Sequence, residues 1–414
     1  MKGAVFVLDN VVHISGATVG SILTTLPSAP AVFALYGEPA YAEPYIGRTP
    51  NLRGRLERLL IPSVKHPKRL QLAGRVRRIA WRVTGSEFEA LLLQFELLQE
   101  VYGPKALERM HLRMPAFVRF LGGNPYPRIT ITNRLSLREA QWSYGPFASR
   151  AAAERFADEM LKLFLLRRCT DDLNPDPSHP GCVYSEMKMC LAPCYKGCTD
   201  ERYAEESTAV ERFLATRGDS RLVTLKTQRD EASANLEFES AAAIHAQVQK
   251  VESVRALAPE LVRPLNQLRA VVLQESAQPD EVAVFLFEQG RLRGPAMFST
   301  LGMRIQNEQS GSSSLFAQPM ALEAIPEGAA PISRDVLEER MQAALIRLSE
   351  PADAPDATTR QGHLALLKRW YYRPEVKRPG EIFFPDSEGH WPVKAMLRGV
   401  GRVAAKSLSA AKSA

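Results

Sequence analysis

Residues 31–60 read AVFALYGEPAYAEPYIGRTPNLRGRLERLL. The apolar run Ala31–Tyr36 predicts a strand, Gly37–Pro44 a loop and Tyr45–Ile46 a short further strand. Asn51–Leu60 predicts a helix with Arg or Glu between its apolar positions. Upstream, the spacing predicts a strand around Val5–Leu8 and a Pro-rich turn at Pro27–Pro30. Downstream, Leu70–Val83 reads as a basic strand region and Ser86–Tyr102 as a helix. Ser86 is a good N-cap, and Glu89 three residues on completes a capping box. Phe88, Leu91, Leu92, Phe95 and Leu98 form the apolar face of that helix. Strands and helices in this order make a small α/β unit.

The chain has 414 residues, enough for two to four domains and a sizeable core. Apolar residues are 45% and charged residues 24%, as in an ordinary globular protein, which excludes a collagen-like or mostly disordered chain. No stretch has 18 consecutive apolar residues, so no membrane span or membrane partner is expected. The N-terminal apolar run is broken by Asp9 and Asn10 and reads as a strand rather than a signal peptide, so a cytoplasmic location is expected. The net charge is +7. Residues 48–82 hold eleven Lys or Arg and one acid, Glu57, a density that suits a phosphate-facing surface.

All five cysteines fall between Cys169 and Cys198. In a reducing compartment such a cluster reads as a metal site more readily than as disulfides. Cys169, Cys182, Cys190 and Cys194 have the spacing C-x12-C-x7-C-x3-C. Four thiolates suit Zn²⁺ or an iron–sulfur cluster, and the spacing does not choose between them. Cys198 is a spare thiol or a replacement for one of the four.

Elsewhere, Pro127–Thr132 reads as a strand, Arg150–Phe164 as an amphipathic helix, and Glu201 to about Leu257 as helical with a break near Gly218. Leu268–Leu273 and Glu281–Phe287 read as a strand pair reversing at Glu288–Gly290. Glu308–Ser314 and Pro351–Thr359 read as linkers around a helix, Val336–Leu348. The tail carries a helix near Leu364–Tyr371 and ends in a frayed AAKSLSAAKSA.

Several of these segments resemble the UvrC/Cho-type excinuclease family. The strand Ala31-Val32-Phe33, then Tyr45-Ile46-Gly47-Arg48, Arg55, and the helix Glu89-Ala90-Leu91-Leu92-Leu93-Gln94 resemble its GIY-YIG nuclease domain. Tyr126-Pro127-Arg128, Tyr144-Gly145-Pro146-Phe147 and Phe164 through Arg167-Arg168-Cys169 look like its middle-region elements. Cys182 and Cys190-Leu191-Ala192-Pro193-Cys194 look like its cysteine segment. Asn235-Leu236-Glu237-Phe238-Glu239 with Ala241 and Ala242 looks like its UVR helical hairpin. The order of these elements is more specific than any one of them.

The resemblance implies an α/β (α+β) GIY-YIG-like domain over 1–105 and a middle region with a Cys cluster over 106–200. A helical region with a UVR-like hairpin follows over 201–257. A small mixed C-terminal region then comprises a strand pair (258–307), a linker and helix (308–361) and a basic segment (362–414). It implies catalytic roles for Tyr45, Arg48 and Arg55, with Arg48 where Lys is usual. Two positions depart. Phe33 replaces a tyrosine, losing the hydroxyl that orients water. Gln94 replaces the metal-binding glutamate, and Mg²⁺ is usually held through a carboxylate. Glu96 lies about 200° around the helix from Gln94 and does not substitute simply. Mg²⁺ or Mn²⁺ is implied only for an active nuclease. The resemblance further implies a [4Fe–4S] cluster on the four cysteines, DNA as a partner, and UvrB bound through Leu236–Glu239. The family's Ile-Arg-Asp triplet is here Ile244-His245-Ala246.

After residue 300 the resemblance ends, and no "FDISH"-like strand of an RNase H-like nuclease occurs. Trp370-Tyr371-Tyr372-Arg373, Lys377-Arg378 and Trp391 could stack on bases, though capping a small core is the better reading. The expected function is a DNA-binding protein of nucleotide excision repair, in a family that hydrolyses phosphodiesters with a metal, with incision impaired by Phe33 and Gln94. The alternative is a catalytically inactive DNA-binding or scaffold protein outside repair.

Overall fold

The computed structural model describes residues 8–14, 19–38, 43–62, 70, 72, 74–136, 140–170, 173–303, 332–350 and 354–413. In chain order the elements begin β1 (Asn10–His13), α1 (Val19–Thr25), β2 (Ala31–Tyr36), β3 (Tyr45–Thr49), α2 (Leu52–Leu60), β4 (Arg78–Val83), α3 (Glu87–Tyr102) and α4 (Ala106–Arg109). They continue with β5 (Ala116–Phe120), β6 (Ile129–Thr132), β7 (Ser143–Phe147), α5 (Arg150–Leu161), α6 (Val183–Glu186), α7 (Asp200–Ala215), α8 (Asp219–Ala234) and α9 (Phe238–Ala256). The last are β8 (Arg263–Pro264), β9 (Ala270–Glu275), β10 (Glu281–Glu288), β11 (Arg291–Ser299), α10 (Arg334–Leu348), α11 (Ala357–Tyr371), β12 (Glu381–Phe383) and α12 (Val393–Ser413).

These elements form two units: Met1–Leu112 with Arg269–Ala354 and Arg373–Ala414, and Arg113–Leu268 with Pro355–Tyr372. All the paired strands described are antiparallel, which makes the mixed fold α+β.

The first unit holds two sheets. One runs β1-β4-β2-β3. Alternate residues of a strand face opposite sides. Ala31, Phe33 and Leu35 therefore pack with Leu52, Leu56, Leu59 and Leu60 of α2. Val32 and Ala34 pack with Ala90, Leu93 and Leu97 of α3. Asn51 caps α2, its Oδ1 accepting the Gly54 N–H at 2.8 Å. Ser86 caps α3 by accepting the Glu89 N–H at 3.1 Å. The Glu89 carboxylate reaches back to the Gly85 N–H at 2.9 Å, one residue before the cap.

The second sheet runs β11-β10-β9-β12. One face packs against α10 and α12 through Val271, Leu273, Met341, Leu345, Met396 and Val400. Its Phe285 meets Phe88 of α3 edge-on at 5.1 Å. Leu91, Leu92 and Phe95 are buried as well, so α3 is apolar nearly all round.

The other unit holds the sheet β6-β5-β7-β8. Tyr144, Phe147, Phe156, Phe164, Tyr203 and Phe213 share its core with the helical hairpin residues Leu222, Leu225, Val248 and Val251. Gly218 (φ 86°) separates α7 from α8, the break that the sequence marks. Leu236 (φ 63°) separates α8 from α9. The N–H of Glu237 then closes on the Ala232 carbonyl, a left-handed helix end.

Several expectations change. The strand expected at Val5–Leu8 lies mostly outside the described residues, and the strand observed is β1, through Asn10. Among the described residues of the basic region 70–83, only Arg78–Val83 is a strand. β5 and β7 were not anticipated. The strand pair of 258–307 grows into three strands, completed by β12 from the tail. The tail read as frayed is helical to Ser413. The linker at 308–314 lies outside the described residues. Trp370 is buried and the Tyr372 hydroxyl donates to the Pro146 carbonyl at 2.9 Å, so these two aromatics do cap a core.

Gly85 marks the tightest approach in the first unit. A Cβ there would fall inside the backbone of Ser276 and Ala277 in the β9–β10 turn. Gly85→Ala should therefore lower the unfolding free energy by about 3 kcal/mol in urea denaturation. Gly20→Ala in α1, whose Cβ meets nothing within 4 Å among the described residues, should instead be neutral or raise it by up to about 1 kcal/mol. Equal effects would refute the packing argument.

Candidate functional site

The first cluster forms where β2, β3 and α2 meet. Tyr45 opens β3, and its hydroxyl accepts a hydrogen bond from Arg55 Nη2 of α2 at 3.2 Å. The Phe33 ring lies 6.1 Å from the Tyr45 ring and is fully buried. It rests on Gly47, its partner in the β2–β3 register. A Cβ at residue 47 would stand 2.8 Å from Phe33 Cζ, so the glycine is required by the ring. Burial suits phenylalanine here because the ring carries no polar atom needing a partner. Tyr45, Arg55 and Phe33 are thus brought together.

Arg48 leaves the other face of β3. Its Nη1 lies 3.4 Å from Glu87 Oε1 at the start of α3. Glu87 Oε2 also takes Arg373 Nη2 at 2.9 Å. One carboxylate is thus shared by two guanidinium groups, so the Arg48 charge is partly offset. Gln94 is half-buried on α3. It lies seven residues, two turns, beyond Glu87, so the two share one side of the helix. Glu87 was not singled out from sequence, and Arg373 was named only in the aromatic and basic run of the tail. Glu87 could have been suspected as a first-turn acid opposite a basic strand, whereas Arg373 is 286 positions away and gave no signal of this pairing.

Glu96, two residues beyond Gln94, is buried enough that its pKa is pushed up to about 7. Desolvation is the main cause, and Arg82 and Arg291 only partly oppose it. Arg82 is itself held by Asp9 in a two-pronged pair, both contacts at 2.8 Å.

The second cluster is built on the loop after α5. Cys169, Cys182, Cys190 and Cys194 line one pocket, with Arg167 and Arg168 in its wall. All five cysteines are unbridged. Cys198 does not line the pocket and packs instead against the core of its unit. Among the described residues, no group of three or more His, Cys, Asp or Glu is close enough to hold a single metal ion.

Hydrogen bonds rather than regular structure hold this loop. Arg167 is buried, its Nε donating to the Tyr126 carbonyl at 2.9 Å and its Nη1 lying 3.5 Å from Cys169 Sγ. The Tyr203 hydroxyl donates to the Pro127 carbonyl at 2.8 Å and accepts the Arg167 N–H at 3.1 Å. The Leu191 N–H reaches the Leu165 carbonyl, and the Asp176 N–H reaches the Cys194 carbonyl. Lys188, Ala192 and Lys196 all take left-handed φ values, from 53° to 58°. Three such non-glycine residues around Cys190 and Cys194 mark a loop whose shape is imposed by its surroundings. In the bare protein, burial pushes the Cys190 and Cys194 thiols up, and the neighbouring cysteines add to this.

The hairpin α8–α9 is exposed at its turn. Leu236 is 72% exposed and Phe238 66% exposed, an unusual outlay for large apolar side chains. Among the described residues no helix is long and apolar enough to cross a membrane.

An α+β core that ends in a four-thiol loop is the stretch by which the chain is related to known proteins. Residues 117–213 match the family model described as UvrC/Cho excinuclease, middle domain. The UvrABC system protein C of Alcanivorax borkumensis is 31% identical over 211 residues, 51% of this chain and 34% of that protein. Its counterpart in Psychrobacter cryohalolentis is 30% identical over 237 residues, 57% of this chain and 38% of that protein. In Escherichia coli O1:K1 the figures are 30% over 237 residues, 56% and 38%. The chain thus spans little more than a third of the length of these relatives. No solved structure matches it. The matches support a UvrC-type family for this chain.

The Glu96 pKa carries a pH signature. A carboxyl whose folded pKa exceeds its unfolded value is destabilising when ionised. Its stabilising contribution is complete below about pH 4.5 and is lost as pH rises to about 7. Glu96→Gln should therefore gain stability above pH 7, by up to about 3 kcal/mol, and gain none below pH 4.5. A gain that is the same at both pH values would contradict the assignment.

Proposed function

We propose that this protein is a UvrC/Cho-like DNA-binding protein of nucleotide excision repair, with an N-terminal GIY-YIG-like site that binds the DNA backbone and incises poorly. The observation that carries the reading is the coincidence of the matched stretch, residues 117–213, with the loop on which four cysteines line one pocket. The arrangement at the N-terminal site supports the second half. Tyr45 and Arg55 are joined by a hydrogen bond that would orient both on a phosphate. The hydroxyl missing at Phe33 and the carboxylate missing at Gln94 remove a water-orienting group and a cation ligand. The exposed Leu236 and Phe238 at the hairpin turn suit an apolar contact with UvrB.

A second reading, a DNA-binding or scaffold protein with no incision activity, is favoured by Arg48. This side chain is drawn to Glu87, which also holds Arg373. Incision of a lesion-bearing duplex with UvrA and UvrB, in Mg²⁺ or Mn²⁺, separates the two. The parent should nick weakly and lose that activity in Tyr45→Phe, while Phe33→Tyr with Gln94→Glu should raise it at least about 100-fold, as expected for a restored acid–base group. DNA binding with no nicking in the parent selects the scaffold reading, and a parent equal to the double variant refutes impairment.

The cysteines fit a [4Fe–4S] cluster in donor set: four thiols around one pocket, with guanidinium groups beside them to offset the negative charge. When bound, such a cluster would brace the loop and supply no step in hydrolysis. Protein purified without air should be brown, with iron and sulfide near 4:4 and an absorption shoulder in the blue. Cys190→Ala should be colourless, and Cys198→Ala should keep the colour. A colourless parent holding one zinc would overturn the cluster.

A further inference from the structure

We propose that α12 is a nucleic-acid-contacting ridge whose cations follow the phosphates of a strand, while the pocket at its N-terminal end receives an unpaired base. Residues 393–413 contain five Lys or Arg and no Asp or Glu. Over 393–406 the exposed residues are Lys394, Arg398, Arg402 and Lys406, every fourth position. Four-residue spacing places them about 6 Å apart along one side of the helix. Arg402 is held by Glu381 through two contacts of 2.6 and 2.7 Å. Among the described residues no acid lies within ion-pair distance of Lys394 or Arg398.

Over 393–406 the opposite side of α12 is used in packing. Met396, Leu397, Val400, Val403 and Ala404 are buried against the sheet and α10. A basic amphipathic helix with a free apolar side would suit a membrane surface. Over these residues that side is occupied, so what they offer to a partner is the cationic ridge, and a polyanion is the occupant it suits.

The pocket supplies the second observation. It measures about 620 Å³ and is walled by Trp391, Val393, Leu345 and Ile346, with Gln342 and Glu350 on its polar side. Arg269 stands 5.0 Å from the centre of the Trp391 ring and donates to the Gly389 carbonyl at 3.4 Å, fixing the ring. Arg269 Nε is 2.7 Å from Glu288 Oε1, close but too poorly angled for a hydrogen bond. An aromatic wall beside acceptor groups suits the face and amino edge of a base. Asp386 and Glu388 flank His390 on the other rim and would repel phosphates there. The strand must therefore leave on the α12 side, past Lys394 and Arg398.

The inference does not use the N-terminal site or the cysteines, so it can fail or stand independently of the proposed function. The test is the full chain titrated with a labelled single-stranded oligodeoxynucleotide across a salt series. Replacing two phosphate contacts, Lys394→Gln with Arg398→Gln, should lower the slope of log K against log salt by about 1.4. Trp391→Ala should weaken single-strand binding at least about fivefold and duplex binding less, and Trp391→Phe should restore most of the loss. The lysine–arginine variant leaves the core untouched and keeps the test decisive if Trp391→Ala misfolds. An unchanged slope overturns the ridge, as does loss in the variant of binding to anionic vesicles or to an acidic peptide with nucleic-acid binding intact. A Trp391→Ala effect equal on single strand and duplex overturns the base pocket.

Discussion

The first unit depends on the burial of α3 on more than one side. Ala90, Leu93 and Leu97 meet one sheet and Phe88 meets Phe285 of the other. A helix normally offers a single apolar stripe and turns its polar side to water. Here nine of sixteen residues are buried, and three of the four acids on α3, all but the exposed Glu100, find partners or shift their protonation. Each of the three takes a different solution. Glu89 accepts the Gly85 N–H, Glu87 pairs with Arg48 and Arg373, and Glu96 is pushed toward its neutral form. A carboxylate at residue 94 would face the same problem unless a cation sat beside it. Glutamine removes that cost.

The other unit solves a different problem. Its cysteine loop has little regular structure, so backbone polar groups cannot pair along a ladder or helix. Arg167 and Tyr203 take over this work, tying residues 126, 127 and 167 together. The motif Tyr126-Pro127 and the stretch Arg167-Arg168-Cys169 are some forty residues apart, yet they are adjacent for this reason. What looked in the sequence like separate short motifs is one hydrogen-bonded corner that holds the loop against the core.

Local signals were the legible ones. Ala31–Tyr36, the Ser86 cap and the break at Gly218 could be read because a short apolar run, capping and left-handed glycine are properties of a few adjacent residues. The co-location of four cysteines was legible through their clustering, and the exclusion of Cys198 was not, because it depends on how the loop closes. β12 and the Arg373–Glu87 pair were illegible for the same reason. Each joins segments far apart in sequence, and a three-residue strand carries no period of its own. Tyr45 and Arg55 were named from the resemblance, and their hydrogen bond needed the crossing of β3 and α2 to appear. The helical tail was misread because its small residues and lysines look like a frayed end, whereas the helix that leads into it is fixed by Met396, Val400 and Val403 packing on the distant sheet.

The substitutions at the N-terminal site share a direction. On the proposed reading, a nuclease must attract a phosphate and also hold a cation, and the carboxylate that holds the cation repels the phosphate when the metal is absent. Replacing that carboxylate with Gln94 removes the repulsion together with the chemistry. Replacing a tyrosine with Phe33 removes a hydroxyl that positions water and leaves the ring that Gly47 packs against. On the same reading the positive charges at Arg48, where Lys is usual, and Arg55 are kept. Loss confined to the groups proposed to act on water and metal, with retention of those proposed to act on phosphate, is the pattern expected when binding has outlasted cleavage.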